Sequence, residues 1–405
     1  MKTVIINRFS PERAQYEEWL QDVEGEFIMV TKSDKVQRFS SFYSNTIGFP
    51  NFSLNDNVYK FISDMHKESN IDFIIATHEF DLLKAARLRE HLKVTGQHGE
   101  SARAFRDKVY MKQLVQNSIR IPKFRKIHDV MDLISFIEEN DYPIVIKPID
   151  GAGSVDVQII RGQQQLLPIL ETGLEANLEV EEYIEGEMYH VDGIFSGSQL
   201  LLSRPSRYIN GCMAFHEDKY LGSLLLQPGE LFDRLNNAVE SVLRALPTPD
   251  HAISFHAEFF LTNSDEIVLC EIASRVGGGD IVETIDFATG VNILRESVRA
   301  QCGASINCTP SQDRLAGWLL IPARNGVLKS IHTQPPFEWV LNCTVKPEHI
   351  GKTFDQASSS VDSVATLLVE GKDENQLQLR LNEVYEWMQN HIVWEQVSDQ
   401  TLVVS

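Results

Sequence analysis

Glu258 and Glu271 are the residues around which the chemistry of this chain is arranged. Each lies in an apolar run, Ser254–Thr262 and Ile267–Ile272, and the runs flank the turn-forming Asn263-Ser264-Asp265-Glu266. That pattern predicts an antiparallel hairpin. An even-length loop centred between Ser264 and Asp265 sets Glu258 directly opposite Glu271, with Cβ atoms about 5 Å apart. Opposed like charges destabilise a sheet, and burying an unpaired carboxylate costs several kcal/mol, so the pair calls for a cation. A hard divalent ion, Mg²⁺ above all, takes oxygen ligands and keeps positions open for phosphate oxygens. Just downstream, Arg275 offers a bidentate anion clamp, and Gly277-Gly278-Gly279 offers N–H groups that can approach a ligand closely. A plainer reading covers the same residues: a strand pair with one solvated carboxylate, its register shifted by an odd loop.

Other clusters precede the hairpin. Tyr142–Ile149 reads as a buried strand carrying Lys147 near its end, followed by the turn Gly151-Ala152-Gly153-Ser154. A lysine point charge beside loop N–H groups suits a polyphosphate. It is not a Walker A loop, because GxxxxGK[ST] is absent, and a strand-ending lysine with a tight turn also occurs with no ligand. Leu178–Phe195 gives two strands around a glycine turn crowded by Glu181, Glu182, Glu185 and Glu187. This is either a solvated acidic hairpin or an edge whose backbone meets an adenine and whose carboxylate meets ribose hydroxyls. Ser203–Gln227 reads as irregular, with Arg204, Arg207, His216, Glu217 and Asp218 in a loop suited to lining a pocket. His190, His216 and His256 are candidates for substrate contact or for structural hydrogen bonding.

The elements that must position these groups alternate. Strands are expected at Thr3–Ile6, Glu26–Thr31 and Ile71–Ala76, with helices at Pro11–Val23, Val58–His66 and Phe80–Leu92. Alternation of this kind predicts an α/β fold with a parallel sheet. A polar stretch, Gly96–Glu100, closes that unit, and a helix is expected over Arg103–Asn117, carrying Lys108 and Lys112. The C-terminal part, with strands at Gly317–Pro322, Val327–Ile331 and Ser363–Val369 and a helix capped by Asp373, reads as a closing subdomain. The expected divisions are 1–97, 98–190, 191–310 and 311–405.

Composition narrows the partners. With 37 Lys and Arg against 57 Asp and Glu, the chain has a net charge of −20, which argues against nucleic acid or an anionic membrane surface. The five cysteines are scattered with no CxxC pair, which argues for reduced thiols in a cytoplasm. MKTVIINRF turns polar too soon for a signal peptide, and no apolar run approaches the roughly 18 residues of a membrane span.

Taken in order, these pieces resemble the ATP-grasp superfamily, most closely its L-amino-acid ligases (dipeptide synthetases), over roughly Ile71 to Gly303. THEFDLLKAARLREHL is similar to the end of the family's N-terminal domain. RDKVYMK resembles its first nucleotide-lysine segment, which places that lysine at Lys108. YPIVIKPIDGAGSV resembles the second, at Lys147, with the phosphate loop at Gly151, Gly153 and Ser154. EEYIEGE is similar to the adenine hinge, implying backbone contacts across Glu182, Tyr183 and Ile184, and Glu187 on the ribose. HAEFFL and CEIASRVGGG resemble the segments bearing the metal carboxylates, Glu258 and Glu271, and the catalytic Arg275 with Gly277 and Gly278. The sequence departs from a common family pattern at Ala273, where many relatives carry a metal-binding asparagine. The resemblance implies an ATP-grasp fold, α/β overall and α+β in its central part, with a Rossmann-like N-terminal domain. It implies ATP and Mg²⁺ as cofactors, with Mn²⁺ able to substitute, amino acids as small-molecule substrates, and a possible homodimer. The implied reaction is ADP-forming ligation of two L-amino acids through an acyl phosphate. Alternatives are a ligase for another carboxylate, one that loads a carrier protein or scaffold, and a non-catalytic ATP-binding regulator.

Overall fold

The expected N-terminal strands come together as a four-stranded parallel sheet in the computed structural model, which describes residues 1–39, 45–212, 219–354, 359 and 362–396. Its order is Thr46–Phe49, Glu26–Lys32, Lys2–Ile6, Phe73–Ala76. Val4, Ile6, Ile28, Val30 and Ile74 alternate onto one face and bury against the helices Asn57–Glu68 and Leu82–Leu92. The expected helix over Pro11–Val23 shrinks to one turn, Tyr16–Trp19. Arg13 and Ala14 both donate their amides to the Ser10 carbonyl, which makes a turn instead of a ladder.

A second, antiparallel sheet has the order Phe124–Ile127, Leu178–Glu182, Ile144–Pro148, Gln158–Ile160. Leu178 and Val180 point into its small core with Leu133, Phe136 and Ile146. The alternate residues of the same strand, Glu179 and Glu181, therefore face the opposite way. The single helix expected over Arg103–Asn117 is two, Gly99–Ala104 and Lys108–Val115. Asp107 is extended there and caps the second helix by accepting the Tyr110 amide, which sets Lys108 on the first turn.

The largest sheet has eight antiparallel strands, ordered Ile267–Ala273, Ile253–Thr262, Gly186–Ser196, Gln199–Ile209, Leu221–Leu225, Leu315–Pro322, Ser363–Gly371, Val340–Val345. Strands of the C-terminal region thus complete the sheet that carries the hairpin. Phe255, Ala257 and Phe259 are fully buried in the core beneath the helices Glu230–Ala245 and Lys108–Val115, which leaves His256, Glu258 and Phe260 on the opposite face. Gly326–Ile331 pairs separately with Thr353–Phe354 and Ile392–Glu395.

Two sequence expectations need correction here. Ser203–Gln227 is not an irregular loop: Gln199–Ile209 and Leu221–Leu225 are central strands, while His216, Glu217 and Asp218 lie outside the described residues. Pro205 sits at the last rung toward Leu221–Leu225: its carbonyl accepts the Leu226 amide at 3.0 Å, and the proline costs the ladder only the return bond at that end.

The hairpin turn is the other correction. Thr262 and Glu266 close a three-residue loop with Asp265 left-handed at φ 62, and the strands leave it with Leu261 opposite Ile267. That odd register would have separated the two glutamates. A bulge at Cys270 shifts it by one residue, and beyond the bulge Glu258 lies opposite Glu271. The bulge also turns both Cys270 and Glu271 toward the same cavity.

Candidate active site

The three sheets meet around one cavity of about 1050 Å³. The residues expected to bind nucleotide, metal or the reacting groups all line it: Lys108, Lys147, Gly151, Gly153, Ser154, Glu182, Tyr183, Ile184, Glu187, Glu258, Glu271, Arg275, Gly277 and Gly278; of the further candidates, Arg207 and His256 line it too, whereas Arg204 and His190 do not.

Lys108 ties the parts together. Its Nζ lies 3.0 Å from Glu271 Oε2 and donates to the Gly151 carbonyl at 2.7 Å, while its amide donates to the Ile149 carbonyl at 3.0 Å. The helix end that carries this lysine is thereby bound to the glycine loop. Gly153 and Ser154 have φ of 66° and 58°, so the loop holds a left-handed turn in which successive N–H groups can converge on an anion.

Lys147 belongs to a buried four-charge cluster. It pairs with Glu181 at 2.6 Å, and Lys112 reaches Glu179 at 2.8 Å and Glu181 at 2.5 Å. Burial disfavours the charge on Lys147, but Glu181 and the other nearby acids hold its pKa well above the ordinary lysine value. Burial likewise pushes Glu181 up, and Lys112 with Lys147 bring it below the ordinary carboxylate range. Burial raises the Glu179 pKa against the pull of Lys112, while Lys147 keeps its charge at the cavity wall. The cluster was legible only as the alternation of Leu178-Glu179-Val180-Glu181; nothing local marked Lys112 as its partner.

The hinge is also anchored. Arg120 donates to both Glu182 carboxylate oxygens at 2.9 Å, and the Glu182 amide donates to the Lys123 carbonyl at 2.8 Å. Arg161 stacks on Tyr183 with its guanidinium 5.1 Å from the ring centre. Glu187 accepts from Tyr189 Oη at 2.8 Å and lies 3.9 Å from Arg207.

The glutamate pair is oriented by Tyr208 and Asp192, which the sequence did not flag, together with the candidate histidines His190 and His256 in a hydrogen-bonding role. Glu258 Oε1 accepts from Tyr208 Oη at 2.8 Å and meets His256 Nε2 at 3.3 Å. His256 Nδ1 donates to Asp192 at 2.8 Å, and Asp192 also takes His190 at 2.5 Å. Burial opposes charge on His256, but Asp192 first and Glu258 after it raise its pKa to about 10, so an imidazolium bridges two carboxylates. Burial pushes Glu271 up as well, yet Lys108 and Lys147 hold it down near 2. His190, Asp192 and His256 lie close enough to hold a metal ion, but they are hydrogen-bonded to one another and brace Glu258. Glu258 and Glu271, both held below the ordinary carboxylate range, face the cavity and offer the hard oxygen atoms that Mg²⁺ favours. The pair would supply two protein carboxylates, and Ala273 adds no third ligand. Burial pushes the thiols of Cys212 and Cys270 well up, so neither is an activated nucleophile.

Arg275 is fixed from another region. Arg275 Nε donates to Glu79, and Arg106 donates to the other oxygen of the same carboxylate and, at 2.5 Å, to the Asp150 carbonyl of the glycine loop. Burial pushes Glu79 up, but Arg275 and Arg106 hold it below the usual carboxylate range. Glu79 was read only as part of a segment closing the N-terminal domain. Its partner is 196 residues away. Gly277 has a packing reason to lack a side chain: a Cβ would sit 2.8 Å from His256 Nδ1 and 2.9 Å from Asp192 Oδ1.

Known proteins bear on this geometry. Residues 105–279 match the ATP-grasp domain. The L-arginine-specific L-amino acid ligase of Bacillus subtilis is 25% identical over 349 residues, 82% of this chain and 83% of that protein. A D-alanine–D-alanine ligase of Bacillus anthracis is 28% identical over 147 residues, 35% of this chain and 48% of that one. The crystal structure of an L-amino acid ligase from Bacillus licheniformis superposes with a TM-score of 0.75 at 17% identity, covering 98% of this chain and 99% of that chain, and shares the fold. The chain thus carries an ATP-grasp domain over residues 105–279 and, along most of its length, resembles L-amino-acid ligases, which join carbon to nitrogen.

Proposed function

We propose that the chain joins the carboxylate of one L-amino acid to the amine of another at the expense of ATP. The observation that carries this reading is the Glu258–Glu271 pair facing a cavity also lined by Lys108, Lys147 and Arg275. Glu258 and Glu271 hold Mg²⁺, which neutralises charge on the nucleotide's phosphates when bound. Lys108, Lys147 and the Gly151–Ser154 amides bind the phosphates, and the Glu182–Ile184 backbone and Glu187 take adenine and ribose.

In the first step a carboxylate oxygen of one amino acid attacks the γ-phosphorus, the bond to the bridging oxygen breaks, and ADP leaves. In the second, the amine nitrogen of the other amino acid attacks the acyl-phosphate carbonyl and phosphate leaves. Arg275 and the Gly277 and Gly278 amides stabilise charge on the carbonyl and phosphate oxygens, as preorganised donors do. The glycine loop, tied to Lys108 and Arg106, screens the acyl phosphate from water.

The test compares the native chain with Glu271→Gln in ATP, Mg²⁺ and the standard amino acids, reading ADP release and, by mass spectrometry, dipeptides. We expect amino-acid-dependent ADP release from the native chain and a loss of at least about a hundredfold in the variant, with an unchanged fold. Normal turnover by Glu271→Gln refutes the metal assignment; ATP binding with no acceptor-dependent ADP release refutes the ligase.

A further inference from the structure

Beyond Arg275 the cavity runs against a wall built by the N-terminal domain. Lys2–Ile6 and Phe73–Ala76 are adjacent parallel strands, and the loops after their C-terminal ends supply Phe9, His78 and Phe80. These rings form a continuous shelf, with centroids 5.6 Å apart for Phe9–His78 and 5.5 Å for His78–Phe80. Phe80 is 60% exposed while lining the cavity, an apolar area awaiting cover. Across the cavity, Trp318 and Val276 also present apolar surface.

The charges at this end are already matched. Glu79 is shared by Arg275 and Arg106, Asp81 takes Arg8 through two bonds at 2.6 and 2.7 Å, and Arg13 pairs with Glu283 and the Gly279 carbonyl. Burial lowers the His78 pKa to about 4, so its ring is neutral near pH 7. Among the described residues that line the cavity, this wall thus offers rings, and its one carboxylate, Glu79, is already held by two guanidinium groups. A guanidinium or ammonium side chain placed here finds ring faces but no free carboxylate, so it exchanges water for a cation–π contact alone. An aromatic side chain instead gains ring contacts and buries the Phe80 face.

We propose that one of the two joined amino acids carries an aromatic side chain, seated on the Phe9–His78–Phe80 shelf. This rests on the ligase reading and narrows its substrate class; the Bacillus subtilis relative is named for arginine, and this wall gives arginine no free carboxylate.

The experiment measures ADP release by the full chain with phenylalanine, tyrosine or tryptophan, and with arginine, lysine, aspartate and alanine, singly and in all pairs. Aromatic-containing pairs are expected to lead in kcat/KM by about tenfold or more over arginine-containing ones, the size of one buried ring contact. Phe80→Ala, a change at an exposed position, is expected to raise the KM for the aromatic amino acid about tenfold and leave the KM for ATP unchanged. Turnover confined to pairs without an aromatic member, or an aromatic KM untouched by Phe80→Ala, overturns the shelf and leaves the ligase standing. Binding is read separately, as the thermal shift produced by phenylalanine in the presence of ADP and Mg²⁺. A shift lost in Phe80→Ala, without any ADP release, keeps the shelf and refutes the ligase; no shift in the native chain overturns the shelf.

Discussion

Glu79 shows how a single carboxylate can hold a site's charges in place without entering the chemistry. It neutralises two guanidinium groups at once, and one of them, Arg106, grips the glycine loop through Asp150. Replacing it with glutamine keeps the shape and removes the charge. We expect Glu79→Gln to lower kcat by roughly 10- to 100-fold, because Arg275 is no longer held against its partner. The KM for ATP should change little. Steady-state kinetics beside a urea melt separates this from lost stability; a kcat within twofold of native would show that Arg275 needs no such anchor.

Between elements, the Lys112–Glu179–Glu181–Lys147 cluster joins the helix Lys108–Val115 to the second sheet. Lys112 and Glu179 are fully buried, so each depends on the other for a counter-charge. Removing one member of a buried ion pair strands its partners, an effect of about 3–5 kcal/mol. Lys112→Met is therefore expected to lower the unfolding free energy by about that amount, checked by urea denaturation. A loss below about 1 kcal/mol would mean that the two glutamates shed their charge by taking up protons instead.

At the scale of the whole molecule, Asp280 sits where regions meet: burial and Glu283 push its pKa up to about 6, against a hydrogen bond from Thr366 and the charges of Arg13 and Lys346. The folded state thus holds this proton to higher pH than the unfolded chain does. Its contribution to stability is fully present below the unfolded value of 3.8 and is lost as pH rises through about 6. Asp280→Asn removes that loss and still suits the start of the helix Ile281–Thr289. We expect it to be more stable than the native chain at pH 8, on the order of 2 kcal/mol, and equal to it at pH 3.5. Equal melting curves at pH 8 would refute the assignment. The described residues also contain no helix long and apolar enough to cross a membrane.

By itself, the sequence determined which chemical groups this protein has and in what order they come. Apolar runs on either side of turn-forming residues located the strands bearing Glu258 and Glu271, and the alternation of strands with helices located the parallel N-terminal sheet, because strand and turn preferences are local. The glycine loop and the lysine before it were readable for the same local reason. Tertiary structure decided the rest. The glutamates face each other through an odd turn and a compensating bulge, and bulges are chosen by packing on both strands, not by the turn residues. Pro205 stands in a central strand at the end of the neighbouring ladder, where its missing N–H costs a single terminal bond. Which charge neutralises which (Glu79 with Arg275, Lys112 with Glu179) depends on distances between segments remote in the chain, and no local spacing encodes those.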